Sequence, residues 1–262
     1  MSEAAAAWPI EKHVENKQAT SEQLVDYCAQ TLEELLPDRD HQLIAVRLLG
    51  QYPKEAYHQA AHGLDVMRAT KWLLDRAGAP QLQDKNEWPV LLLAAAAHDA
   101  GLYTAEAARH ETNEIYAAGQ LWNEGGMVLD SDQLLIATEA ILGTIMDPEK
   151  QRRDTARAKL LHHADLGYVW SCDEAQFTQY ALRFRHEECQ HLSWPEFQEL
   201  EAKFLDAYAI ALEWDMHALQ VPRATIQAMV ARVQQNRRYI TQDGLEEPAL
   251  EDEWPGVTQM IQ

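Results

Sequence analysis

The chain has 262 residues, 47% hydrophobic and 24% charged, enough to bury one substantial core or one core with a helical appendage. Its 42 acidic and 22 basic residues leave a net charge of -20, which argues against duplex nucleic acid or an anionic membrane as partner, because those surfaces attract Lys and Arg. No stretch reaches the roughly 18 uninterrupted apolar residues of a membrane span, Ala4 to Ala7 is too short for a signal peptide, and Cys28, Cys172 and Cys189 lack Cys-x-x-Cys spacing. These features lead us to expect a cytoplasmic protein with reduced, structural thiols.

Nearly every segment reads as helix, and no alternating apolar and polar run bounded by turn signals asks to be a strand. Thr20 to Gln23 has the form of a capping box opening a helix to about Leu36, which Pro37 and Asp38 break; His41 to Leu49 is a shorter helix stopped by Gly50. Residues 1–51 therefore read as an N-terminal helical extension. The next helix runs from about Glu55 to Ala77 and ends at Gly78 and Pro80, after which Pro89 suits the first turn of another. Val90 to Ala97 is continuously apolar, so this helix is expected to be buried on nearly all sides, and it runs straight into His98-Asp99. Ala105 to Trp122 reads as a helix closed by Gly125-Gly126, and Asp130 or Ser131 caps another that reaches Met146. One or two helices cover Asp154 to Gln190. Pro195 opens a long amphipathic helix toward Leu219, and Pro222 opens a last one toward Arg238. Residues 241–262, dominated by Glu246, Glu247, Glu251, Asp252 and Glu253, read as a mobile acidic tail. The fold class expected is all-α.

Chemistry-bearing residues fall within these helical segments. His58 and His62 are four apart, which puts both on one face of the predicted helix. Asp99 follows a buried apolar run, and Asp165 lies between Leu160-Leu161-His162-His163-Ala164 and Leu166. A carboxylate in such surroundings is costly to desolvate unless a cation or strong donors compensate it. Two imidazoles and two carboxylates suit a divalent ion, and zinc, iron, manganese and magnesium all fit that donor set.

The fragments Tyr57-His58-x-x-x-His62, His98-Asp99-Ala100-Gly101 and Ala164-Asp165-Leu166 resemble the HD superfamily of metal-dependent phosphohydrolases, in the branch whose first motif is like that of cyclic nucleotide phosphodiesterases. The resemblance covers about Tyr52 to Tyr208. It implies an HD-type helical domain over residues 52–240, with His62, His98, Asp99 and Asp165 as ligands of one or two divalent metal ions. It also implies cleavage of a phosphomonoester or phosphodiester of a nucleotide or similar small molecule by metal-activated water. His58, one turn from a ligand, would be the general acid. In bacterial members an acidic residue follows the His-Asp pair; Glu111 and Glu114 are the candidates, to orient water or hold a second ion. Those members also share Ile141 to Thr144, Tyr180-Ala181-x-x-Phe184-Arg185-x-Glu187 and Phe204-Leu205, read here as packing positions. The chain departs from the phosphodiesterases in lacking a histidine just after His98-Asp99, His110 being the nearest, and in having Gln59 where asparagine is typical.

Two other functions compete. Extra histidines between His98-Asp99 and Asp165 would suit an HD-type di-iron oxygenase, with His110, His162 and His163 as the additional donors. The extension and acidic tail would suit a non-catalytic, metal-stabilised binding module. For the substrate, Arg68, Arg109, Lys159 and Arg185 are the cations considered for phosphate, and Trp170, Phe177 and Phe184 the aromatics for a pocket wall.

Overall fold

The computed structural model describes residues 29–251, apart from 148 and 243, and all regular structure among them is helical. Ten α-helices follow a short helical segment over residues 29–35: α1 Arg39–Leu49, α2 Ala60–Leu74, α3 Trp88–Ala97, α4 Asn113–Gly125, α5 Ser131–Leu142, α6 Ala156–Asp165, α7 Gly167–Ser171, α8 Glu174–Glu188, α9 Trp194–Ala218 and α10 Arg223–Ile240. The capping box expected at Thr20 to Gln23, Cys28 and the end of the acidic tail lie outside the described residues.

Helix α3 is the axle of the bundle. Pro89 sits in its first turn, where a missing N–H costs nothing, and Val90 to Ala97 are all buried. Around it pack α1, α2, α4, α5 and α6, while α9 and α10 form a second pair that bears on α7 and α8. The segment read as an extension contributes Leu32, Leu36, Ile44 and Leu48 to the same buried core. Several helices start on side-chain caps, of which Asp130 was expected from the sequence. Asp38 accepts from the amides of Asp40 and His41, and Asp130, Asp173 and Ser193 each form a capping box with the residue three further on. One close crossing requires glycine: a Cβ on Gly143 would come within 2.5 Å of the Ala158 carbonyl oxygen, so α5 meets α6 there without a side chain between them.

Three boundaries differ from expectation. The helix predicted from Glu55 begins only at Ala60, because Gln59 is extended and offers no side-chain cap. The one predicted from Ala105 begins at Asn113, because His110 and Thr112 are extended and only a 3-10 turn, Ala107–Arg109, precedes them. The helix predicted to reach Met146 stops at Leu142. The expected mobile tail is also different over its described part. Gln179 Nε2 donates to the Ala249 carbonyl at 3.1 Å, the Glu251 amide donates back to Gln179 Oε1 at 3.0 Å, and Arg183 reaches the Glu251 carbonyl at 2.6 Å. These bonds lay residues 249–251 along α8.

Glu201 on α9 is buried, and its Oε1 has no hydrogen-bond partner among the described residues. Burial pushes its carboxyl up to about 7. A group raised in the folded state favours folding below its unfolded pKa and withdraws that support as pH rises toward the folded value. Stability is therefore expected to fall by about 3 kcal/mol between pH 4.5 and 7 through this residue alone. Urea unfolding of Glu201→Gln against wild type across that range checks it; parallel profiles would refute the assignment.

Candidate metal centre

Three helix ends converge on one point. His62 lies in the first turn of α2, His98 caps the C-terminus of α3 with Asp99 in the turn beyond, and Asp165 is the last residue of α6. That turn is shaped by Gly101, whose φ of 77° is left-handed and whose Cβ, if present, would meet Tyr116. The Gly101 amide donates to the Gln51 carbonyl at 3.0 Å, which ties the turn to the end of α1.

The four side chains face each other. His98 Nε2 is 3.2 Å from His62 Nε2, 3.0 Å from Asp99 Oδ2 and 3.3 Å from Asp165 Oδ1; His62 Nε2 is 3.1 Å from Asp165 Oδ1 and 3.5 Å from Asp99 Oδ2. One donor atom from each lies within 4.8 Å of the others, and both imidazoles are buried. The donor set fits a divalent ion on a further ground. His98 Nδ1 is 2.8 Å from the Ala95 carbonyl, which only accepts, so Nδ1 carries a hydrogen and Nε2 is the nitrogen turned to the cluster, where a divalent ion could take the place of a proton. Burial alone would push the His98 pKa down, yet Asp99 and Asp165 hold it well above its ordinary value. The pocket draws positive charge to Nε2. The same imidazole in turn helps to pull both carboxyls below the usual carboxylate range against burial.

His58 is not on the helical face with His62; it lies in a bend before α2. It is held instead from α8. Glu187 Oε2 accepts from the amides of Tyr57 and His58 at 2.7 and 3.1 Å, while Glu187 Oε1 is 2.6 Å from His58 Nδ1. One carboxylate thus supplies the stop that a helix cap would have supplied, and turns the ring. His58 Nε2 then points toward the cluster, 3.9 Å from Asp99 Oδ2. Burial lowers the His58 pKa, but Asp99 and Glu187 together hold it above its ordinary value. The Tyr103 hydroxyl lies 2.8 Å from Glu187 Oε1 and also against Glu188, and Tyr103 adopts a left-handed φ of 64° to get there.

Of the two acidic candidates, Glu114 is half-buried in the first turn of α4, its carboxyl raised by burial and further by the charges of Asp99 and Asp165. Glu111 is exposed, and its carbonyl takes a hydrogen bond from Lys150. The extra histidines do not join the cluster: His110 packs at a tilt against Tyr116, His162 faces Arg153, and His163 lies between Asp215 and Tyr208. Three of the four cations considered for phosphate are engaged elsewhere. Arg68 binds Thr31, Lys159 pairs with Asp215, and Arg185 pairs with Glu247; Arg109 is exposed on its 3-10 turn. Trp170 and Phe177 belong to the core, whereas Phe184 packs edge-on against Tyr57.

Glu187 and Tyr103 were not singled out from the sequence. Glu187 stood in a stretch read as packing, and Tyr103 carries no sequence signal of its own.

No protein-family model and no curated protein sequence matches the chain. Solved structures do. The phosphodiesterase domain of the rhodopsin phosphodiesterase of Salpingoeca rosetta superposes with a TM-score of 0.62 at 17% identity, over 85% of this chain and 88% of that one. A second structure, of the phosphodiesterase domain of the RhoPDE fusion protein from the same choanoflagellate, gives 0.64 at 16% identity, over 90% and 95%. At such identity the likeness is one of fold.

Proposed function

We propose that the protein is a metal-dependent phosphohydrolase of the HD type, cleaving a phosphate ester of a nucleotide or similar small molecule. The observation that carries this reading is the meeting of two imidazole Nε2 atoms and two carboxylates within 4.8 Å, with a third histidine 3.9 Å from one of them. Likeness in fold to phosphodiesterase domains supports it. His62, His98, Asp99 and Asp165 would hold the ion; zinc, iron, manganese and magnesium fit the donors. When bound, such an ion lowers the pKa of a water and polarises a phosphoryl oxygen.

The chain's own residues do the rest. His58, its Nδ1 hydrogen donated to Glu187, presents Nε2–H beside Asp99 and gives that proton to the leaving-group oxygen. Glu187 fixes the tautomer and favours the imidazolium. Tyr103 donates to the same Glu187 oxygen that faces His58 and so helps to position it. Glu114, which feels the charges of Asp99 and Asp165, is the acid proposed to orient the attacking water; exposed Glu111 is left without that role. The oxygenase reading loses its extra donors, since His110, His162 and His163 each have other partners.

The test is hydrolysis of bis(p-nitrophenyl) phosphate and a panel of nucleotides by manganese-loaded protein. Turnover of at least one is expected. A fully loaded protein that turns over none of them would instead be a metal-stabilised binding module.

A further inference from the structure

Residues 150–159 are the most basic stretch of an otherwise acidic chain, with Lys150, Arg152, Arg153, Arg157 and Lys159. Its two later cations are spent on carboxylates: Arg157 on Glu87 and Lys159 on Asp215. Arg153 is not. Half-buried in the loop before α6, it contacts Gln151 Oε1 through Nε and Nη2 and His162 Nε2 through Nη1 at 2.6 Å, and it faces no carboxylate among the described residues.

A guanidinium only donates, so His162 Nε2 accepts and Nδ1 bears the ring hydrogen. His162 is 1% exposed, and that Nδ1 has no partner among the described residues. A buried N–H without an acceptor is rare in folded proteins and calls for one. His162 stands one turn before Asp165 on the same face of α6. Lys150 Nζ meanwhile reaches the Glu111 carbonyl at 3.4 Å, which lays this loop beside the segment that leads to Glu114. A guanidinium that meets no carboxylate and an imidazole hydrogen without an acceptor are thus held together one helical turn from Asp165.

We infer that Arg153 and His162 form an anion subsite beside the metal centre, which takes a second phosphoryl group, so that the substrate is a phosphate ester bearing a further phosphate. This rests on the phosphohydrolase reading. A guanidinium has five N–H groups, more than its contacts to Gln151 and His162 use, and these with the separate imidazole N–H match the several acceptor oxygens of a phosphoryl group. Exposed Arg152, and Lys150 between Asp147 and the Glu111 carbonyl, add basic charge to the same loop.

The experiment is calorimetric binding of inorganic pyrophosphate and inorganic phosphate to metal-loaded wild type, Arg153→Gln and Arg153→Lys, with metal content and circular dichroism confirming that each variant is intact. Arg153→Gln is expected to weaken pyrophosphate about 10- to 100-fold, with Arg153→Lys intermediate, and to leave phosphate within about 3-fold. In parallel, kcat/KM for a nucleoside diphosphate should fall in Arg153→Gln while that for the monophosphate holds. Pyrophosphate bound equally by wild type and Arg153→Gln, or not bound by wild type, overturns the subsite. If no ester is cleaved by any form and pyrophosphate binding still depends on Arg153, the subsite stands and the hydrolase reading falls.

Discussion

Replacing Asp99 with alanine is expected to strip the protein of its divalent metal and of its turnover together. Asp99 Oδ2 touches the inward nitrogens of both His98 and His62, so its loss opens the donor set on two sides. Loss of a residue that merely supports a ligand costs about 10- to 100-fold in metal affinity, and loss of a ligand should cost at least the upper end of that range. Turnover should drop on the order of 10³-fold or more, the scale of several kcal/mol of charge stabilisation withdrawn from the transition state. The fold itself should persist, because Asp99 sits in a turn at the edge of α3 and not in the packed run that precedes it. Elemental analysis of purified wild type and variant, with circular dichroism as the folding control, decides the matter. A variant that keeps stoichiometric metal and normal turnover would mean that the cluster is not the catalytic centre.

His58→Ala should separate the two quantities that Asp99→Ala removes together. Metal content is expected to stay at the wild-type level, since His58 Nε2 is 3.9 Å from Asp99 and its other nitrogen is bonded to Glu187. Turnover of an ester with a poor leaving group, such as a nucleoside, should fall about 10²- to 10⁴-fold, the usual worth of a positioned acid. An ester with p-nitrophenolate as leaving group needs no proton and should fall much less. Glu187→Gln should reproduce part of the loss, because it weakens the hold on the ring while leaving the ring in place. Equal losses on both esters would point to a structural role for His58 and refute the acid.

Much of this centre was legible because each ligand announces itself in its own segment. An apolar run that ends in His98-Asp99 and a carboxylate in the Leu160 to Leu166 stretch are both improbable without a cation, and that argument needs no tertiary knowledge. His58 was misplaced for the opposite reason. Its four-residue spacing from His62 obeys the helical rule, yet α2 starts after it because a carboxylate about 130 residues away takes the two amides that a longer helix would have left pointing at nothing. Residues 105–112 failed similarly. Their alanines favour helix, but the left-handed turn at Gly101 and Tyr103 sends the chain around the site before α4 begins. The polar tail looked detached because acids dominate its composition; Leu245 and Leu250 nonetheless pack against the core, and the Gln179 side chain bonds the backbone of residues 249 and 251.

The distance in sequence between the donors sets an order of events during synthesis. His62 and Asp165 are 103 residues apart, so at about 5–20 residues per second the ribosome needs about 5–20 s to deliver the last donor after the first. Once Asp99 has been made, a nascent chain holds two of the imidazoles and one carboxylate, an incomplete set that would favour copper or zinc over manganese or magnesium by intrinsic affinity. Under the proposed function the ion carried would then depend on what is available while the donor set is still incomplete, and recombinant material made in zinc-rich medium is expected to arrive loaded differently from material refolded with a chosen metal.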